Sequence, residues 1–221
     1  MKNKINLLLK VYLKLNIILT IMDSLNTGDL IFFTGHTQGW LKYFSSMIEF
    51  STHSDYSHVG MIVKDPTFIS PSLKGTYVWE SGWEGDYDPQ DDKIKLGVQL
   101  TPIHEILQNF KNSKVIVRKI NCPPDTFTDD KLKEIHDTVY DKPYDIIPKD
   151  WIMALFRKDA EPQKTDRFWC SALVGYIYTK CGILKSDTDW SILRPSDFSL
   201  SGEHINFNQG FSLDSSETRI Q

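Results

Sequence analysis

Short apolar runs, each closed off by turn-forming residues, set the strongest limit on how this chain folds. Asp29 to Phe33 follows the turn signal Asn26-Thr27-Gly28, and His58 to Val63 is ended by Asp65-Pro66. Tyr77 to Glu80 follows a loop over Pro71 to Gly75, and Val115 to Ile120 runs up to Pro123-Pro124. Runs this short, rich in Val, Ile, Phe, Tyr and Trp, fit strands rather than helices. Lys93 to Leu100 offers a further strand. Helical patterns are interspersed with them. Trp40 to Phe50 repeats through Trp40, Tyr43, Phe44, Met47 and Ile48. Thr101-Pro102 reads as an N-cap and a first-turn proline opening a helix to Phe110. A third pattern starts near Thr128, runs to about Tyr140 and is broken by Lys142-Pro143-Tyr144-Asp145; Trp151 to Phe156 is a short helical segment. Strands and helices in this mixture predict an α+β fold.

The clearest helical pattern begins at Cys170. Leu173, Val174, Ile177 and Cys181 share one face, and Gly182 stands where a left-handed cap would close the helix. A thiol at a helix start meets the positive end of the dipole and unpaired N–H groups, which favour the thiolate. Free cysteine is more commonly a small buried hydrophobe. Cys181, on the apolar face of the same helix, fits that description, and Cys122 sits in a turn before Pro123-Pro124. Cys170 is therefore the candidate nucleophile.

A thiolate nucleophile needs a base and an orienter. His58 opens a strand whose following residues, Val59 to Val63, look like the core of a sheet, and a strand holds a base to the tolerance proton transfer demands. His53 falls in a polar loop, His36 in a turn, and His104 in the first turn of an expected helix. Glu80, at the end of Tyr77 to Glu80, is the candidate acceptor for the second imidazole nitrogen, with Glu84 as its nearest substitute. Tyr144 and Trp169 are candidate pocket residues; both are equally at home as packing aromatics, as are Trp79 and Trp83. The charged loop from Arg157 to Asp166, just before the cysteine, is a candidate gate or a plain solvated connector.

In order along the chain stand Gly28-Asp29-Leu30-Ile31-Phe32-Phe33, Ser57-His58-Val59-Gly60, Val78-Trp79-Glu80-Ser81, Pro143-Tyr144-Asp145, Trp169-Cys170-Ser171-Ala172-Leu173-Val174 and Arg194-Pro195-Ser196-Asp197-Phe198. This series resembles the circularly permuted, NlpC-type branch of the papain-like cysteine hydrolases, which includes YiiX-like proteins, poxvirus relatives and, more distantly, lecithin:retinol acyltransferase-like enzymes. The sequence departs from the pattern at Ala172, where relatives often carry Glu. The resemblance implies a permuted papain-like fold, with an antiparallel sheet packed against the helix that carries the cysteine. It implies a thiol hydrolase of amidase or peptidase type, with Cys170, His58 and Glu80 as a triad working through a thioester acyl-enzyme. A lipid acyltransferase or phospholipase with the same triad is a second expectation, and a catalytically silent binding or structural module a third. Neither a metal nor an organic cofactor is implied. The expected partner is a peptide-like amide or a lipid ester.

Bulk properties narrow the setting. With 221 residues the chain can bury a sizeable core, and its net charge of -4 with no basic block makes nucleic acid an unpromising partner. Three cysteines form neither a disulfide framework nor a zinc spacing, which points to a reducing, intracellular compartment. Residues 1–22 stand apart. Lys2, Lys4, Lys10 and Lys14 interrupt an apolar stretch, and Leu8, Leu9, Tyr12, Leu15 and Leu19 gather opposite Asn3, Asn6, Lys10 and Lys14. A basic amphipathic helix of this kind lies on anionic membrane surfaces more readily than it spans them; a signal segment and an extension ahead of a start at Met22 are the alternatives. The expected organisation is this leader, a catalytic domain over 23–200, and a polar tail over 201–221 that is disordered or only loosely docked.

Overall fold

The computed structural model describes residues 20–34, 56–83, 85–146, 163–202 and 205–221. Its strands are β1 (Leu30–Phe33), β2 (His58–Lys64), β3 (Thr76–Gly82), β4 (Tyr87–Asp88), β5 (Lys93–Ile94), β6 (Gly97–Pro102), β7 (Val115–Arg118), β8 (Ile120–Asn121), β9 (Ser212–Leu213) and β10 (Thr218–Arg219). The helices are α1 (Ile103–Asn109), α2 (Asp129–Val139) and α3 (Cys170–Lys180), with 3-10 turns at Trp190–Ile192 and Pro195–Phe198. An antiparallel six-stranded sheet in the order β10-β7-β1-β2-β3-β6 forms the centre, and β4-β5 and β8-β9 are small separate pairs. The architecture is α+β, as the mixture of patterns predicts.

Alternation along the strands sends side chains into two cores. Leu30, Phe32, Val59, Met61, Val63, Tyr77 and Trp79 face α3 and α2. Ile31, Phe33, Ile62, Val78, Val115 and Val117 face Ile103, Ile106 and Phe110 at α1. The central strands are buried on both faces, which is why they read as continuous apolar runs rather than alternating ones. Helix α3 is buried all round from Cys170 to Tyr178. The sheet covers one side, α2 another, and the turn carrying Trp190 and Leu193 a third. Gly175 permits that last approach, because a Cβ there would stand 2.7 Å from Leu193 Cδ1. At its far end Gly182 adopts φ +76, Ile183 N–H donates to Tyr178 O at 2.8 Å and Gly182 N–H to Thr179 O at 3.1 Å. That is the glycine-closed helix end expected from sequence.

Two expectations need correcting. Thr101 does not cap α1; it stays in β6 opposite Val78, and Pro102 takes the cap position with no side-chain hydrogen bond. Its hydroxyl has another partner, described below. The tail is not loosely docked. Thr218 and Arg219 pair with Val117 and Ile116 of β7, Ser212 and Leu213 pair with β8, and Ile220 is buried in the second core. An otherwise open edge at β7 supplies the driving force, since a strand edge left unpaired exposes a row of backbone donors and acceptors. At the other end Ile21 and Met22, counted with the leader by sequence, pack against the second core. The first 19 residues, the helices expected over 40–50 and 151–156, and most of the 157–166 loop lie outside the described residues. Among the described residues, no helix is long and apolar enough to cross a membrane.

The tail's role is testable. Ile220→Ala should lower the free energy of unfolding by about 2 kcal/mol, the low end for a buried isoleucine because the strand is terminal. Chemical denaturation of the two proteins measures this; an unchanged midpoint would mean the terminal strand adds nothing to the core.

Candidate active site

The site is built where the central sheet divides. β2 stays paired with β1 as far as His58, opposite Phe33. β3 stays paired with β6 as far as Gly82, opposite Gly97. Between β2 and β3, however, pairing stops at Met61 opposite Trp79. His58 to Gly60 and Glu80 to Gly82 therefore diverge into a fork. Gly60 stands within it beside Glu80: a Cβ at that position would lie 2.4 Å from Val78 Cγ1 and 3.4 Å from Glu80 Cβ. The glycine of Ser57-His58-Val59-Gly60 is thus explained by space.

Cys170 enters from the α3 face as the first residue of that helix, after an extended Trp169. Its approach is fixed on two sides. Ser81 Oγ donates to Phe168 O at 2.7 Å, Phe168 N–H donates to Pro143 O at 3.1 Å and Asp145 N–H to Phe168 O at 3.2 Å. Pro143-Tyr144-Asp145 is itself held on β6, with Val98 N–H donating to Lys142 O at 2.8 Å and Tyr144 N–H to Leu96 O at 3.0 Å. Gly97 makes this approach possible: its φ is +153, and a Cβ would fall 2.2 Å from Lys142 O. On the other side Ser171 Oγ and Trp169 Nε1 donate to Leu193 O at 2.7 and 3.3 Å. The next residues, Arg194 to Phe198, close on themselves through Arg194 N–H to Asp197 Oδ2 at 2.8 Å. The His58, Glu80, Pro143 and Cys170 motifs of the sequence series thus form the fork or hold the cysteine in it.

The structure brings the expected Cys, His and Glu together. His58 Nε2 and Glu80 Oε2 are 2.6 Å apart, with Glu80 wholly buried. His58 and Cys170 lie close enough for each to act on the other's ionisation. With Nε2 occupied by Glu80, Nδ1 is the ring nitrogen left for the thiol. By strand parity His58 belongs to the α1 face, and its ring lies 5.7 Å from Phe33 and 6.3 Å from Phe110, centroid to centroid. Cys170 belongs to the opposite core. They meet because the strands part between them.

Electrostatics follow from the contacts. Burial pulls the His58 imidazole down, but hydrogen bonds to Cys170 and Glu80 and their charges outweigh it and raise the group well above its ordinary 6.5. Burial pushes the Cys170 thiol up, yet the hydrogen bond and charge of His58, with backbone bonds at Val59 and Ser171, bring it below its ordinary 9.0. These directions favour thiolate beside imidazolium. Cys181, buried without such partners, is pushed up to about 12.

Tyr144 is half-buried and close enough to Cys170 that the cysteine's charge adds to burial in raising its phenol well above 10.0. Trp169 is half-buried and tied to Leu193, so its indole N–H supports the cysteine turn rather than an open groove. Trp79 is core, and Trp83 is half-buried at the end of β3. His104 is exposed beside Glu105. His36, His53 and Glu84 lie outside the described residues. Sequence reasoning missed Thr101, whose Oγ1 donates to Glu80 Oε1 at 2.5 Å. No sequence signal pointed to it, because its closeness to Glu80 depends on the β3–β6 register. Among the described residues, no group of three or more His, Cys, Asp and Glu is arranged to hold a metal ion.

No family model and no curated protein matches the chain. Among solved structures it is similar to the metalloprotein YiiX from Escherichia coli O157:H7, DUF1105, at 17% identity and a TM-score of 0.40, over 86% of this chain and 96% of that one.

If His58 sets the thiol's acidity, His58→Ala should move the pH midpoint of Cys170 alkylation upward, toward that of an ordinary thiol. Rates of iodoacetamide labelling against pH, read by mass spectrometry, check this; an unmoved midpoint would separate the two residues functionally.

Proposed function

We propose that this chain is a cysteine-dependent hydrolase of the permuted papain-like, NlpC type, acting on a carbonyl group in a peptide-like amide. One observation carries the reading: a thiol at the first position of a buried helix, close enough to a histidine for each to shift the other's ionisation, with one nitrogen of that ring held by a buried carboxylate. The Cys170 thiolate attacks the carbonyl carbon, forming the S–C bond. The His58 imidazolium gives its proton to the leaving nitrogen as the C–N bond breaks. Water then adds to the thioester with His58 as base, releasing the acid and restoring the thiol. Glu80 fixes the tautomer and stabilises the charged imidazole throughout. N–H groups of the first turn of α3, which have no partner within the helix, are the natural donors to the developing oxyanion.

The pH profile has a worked sign. The acid limb is the loss of thiolate as pH falls through the lowered Cys170 value, and the alkaline limb is the loss of imidazolium as pH rises through the raised His58 value. Glu80→Gln removes one of the raising influences, so the alkaline limb should move to lower pH. The experiment is a turnover screen of purified protein on acyl amides, peptides and lipid esters in vesicles, with Cys170→Ala as control. Cys170-dependent amide cleavage with a bell-shaped profile is expected. Cleavage confined to lipid esters would reassign the substrate. Labelling of Cys170 no faster than that of Cys122, together with no turnover, would falsify the enzyme reading.

A further inference from the structure

Glu80 is wholly buried and has two oxygens to satisfy. Oε2 is taken by His58 Nε2 at 2.6 Å. Oε1 is taken by a residue on the next strand, Thr101, whose Oγ1 donates to it at 2.5 Å. Gln99 stands directly opposite Glu80 in the β3–β6 ladder and is also buried, yet its amide Nε2 has no partner among the described residues. Thr101 lies one pleat further, opposite Val78, and reaches Glu80 diagonally. The same hydroxyl would have capped α1 at a conventional helix start; here that cap position passes to Pro102, with no side-chain bond to replace it. A cap bond is given up at the helix, and a bond to the buried carboxylate is made.

We propose that Thr101 is a positioning residue of this site: its hydroxyl holds Glu80 turned toward His58, so that the orienting carboxylate is fixed from the side away from the cysteine. The inference rests on the triad reading above. A carboxylate with one oxygen anchored on β6 and the other on β2 has no freedom to swing about its side-chain torsions, and it spans the two strands on either side of β3. Loss of the hydroxyl leaves Oε1 buried without a donor, which weakens its hold on the charged imidazole. The ionisable groups that bear on His58 are Cys170 from α3 and Glu80 from β3. The neighbouring β1 and α1 segments present Phe33 and Phe110, which do not titrate.

The test compares Thr101→Val, which keeps the shape and removes the hydroxyl, with Thr101→Ser, which keeps the hydroxyl. The readout is the titration of the His58 ring, followed by NMR in histidine-labelled full-length protein, beside thermal unfolding of each variant. Thr101→Val should lower the His58 midpoint, Thr101→Ser should restore it, and adding Thr101→Val to Glu80→Gln should produce no further shift. A merely structural threonine would change the unfolding temperature and leave the imidazole midpoint unmoved, and that result overturns the proposal. A further shift in the double variant would overturn it too, because Thr101 would then act other than through Glu80. If Thr101→Val does not fold, Thr101→Ala replaces it under the same criteria. The titration needs no turnover, so a failure of the hydrolase reading would show in the labelling and turnover experiments and leave this result standing on its own.

Discussion

A carboxylate shut away from water is the interaction on which the rest of this structure depends. Removing one from solvent costs several kcal/mol unless charge and hydrogen bonds offset it. Glu80 meets that demand with donors from both flanking strands, His58 on β2 and Thr101 on β6. The requirement propagates outward. A slip of one residue in either strand would turn one of these partners to the opposite face of the sheet. The registers of Trp79 against Met61 and of Glu80 against Gln99 are therefore constrained by side-chain chemistry as well as by the two apolar cores.

The fork between β2 and β3 converts that constraint into a site. A continuous sheet would have separated the His58 face from the α3 face. Ending the β2–β3 ladder at Met61 gives Cys170 a route to an imidazole that parity assigns to the other side. The outer anchors, Ser81, Pro143 to Asp145 and Leu193, lie on three separate segments and converge on Phe168 to Ser171. The position of the thiol is thus set by backbone held on rigid elements, the condition under which catalytic geometry is kept most closely.

Much of this was legible in the sequence, for physical reasons. Strands buried on both faces read as unbroken apolar runs, as in Val59 to Val63, and the α3 helix announced itself through spacing and Gly182. Cys170 and His58 could be picked out because each opens an element, whereas Glu80, read as the end of a strand, lies inside β3. What could not be read were choices between competing partners. Thr101 before Pro102 has the chemistry of a helix cap, and only the presence of Glu80 one pleat away diverts it. The tail from residue 201 is polar in composition, but Leu213 and Ile220 are enough once β7 offers an edge. Composition averages over such sparse contacts, whereas pairing depends on them individually.

Two cysteines on one helix show what decides the chemistry here. Cys170 and Cys181 are both buried, at opposite ends of α3, and burial acts on both in the same direction, toward the neutral thiol. Cys181 obeys it and is pushed up to about 12. Cys170 reverses it, because His58 supplies a hydrogen bond and a positive charge and the backbone at Val59 and Ser171 supplies further bonds. A helix start alone would not do this: dipole effects at a terminus are typically 0.3–1 kcal/mol, about half a pKa unit, well short of what full burial opposes. The imidazole is the larger influence, and its own value is held up by Cys170 and Glu80 together. The acidity of the Cys170 thiol thus depends on its pairing with the histidine, with the helix contributing position more than acidity.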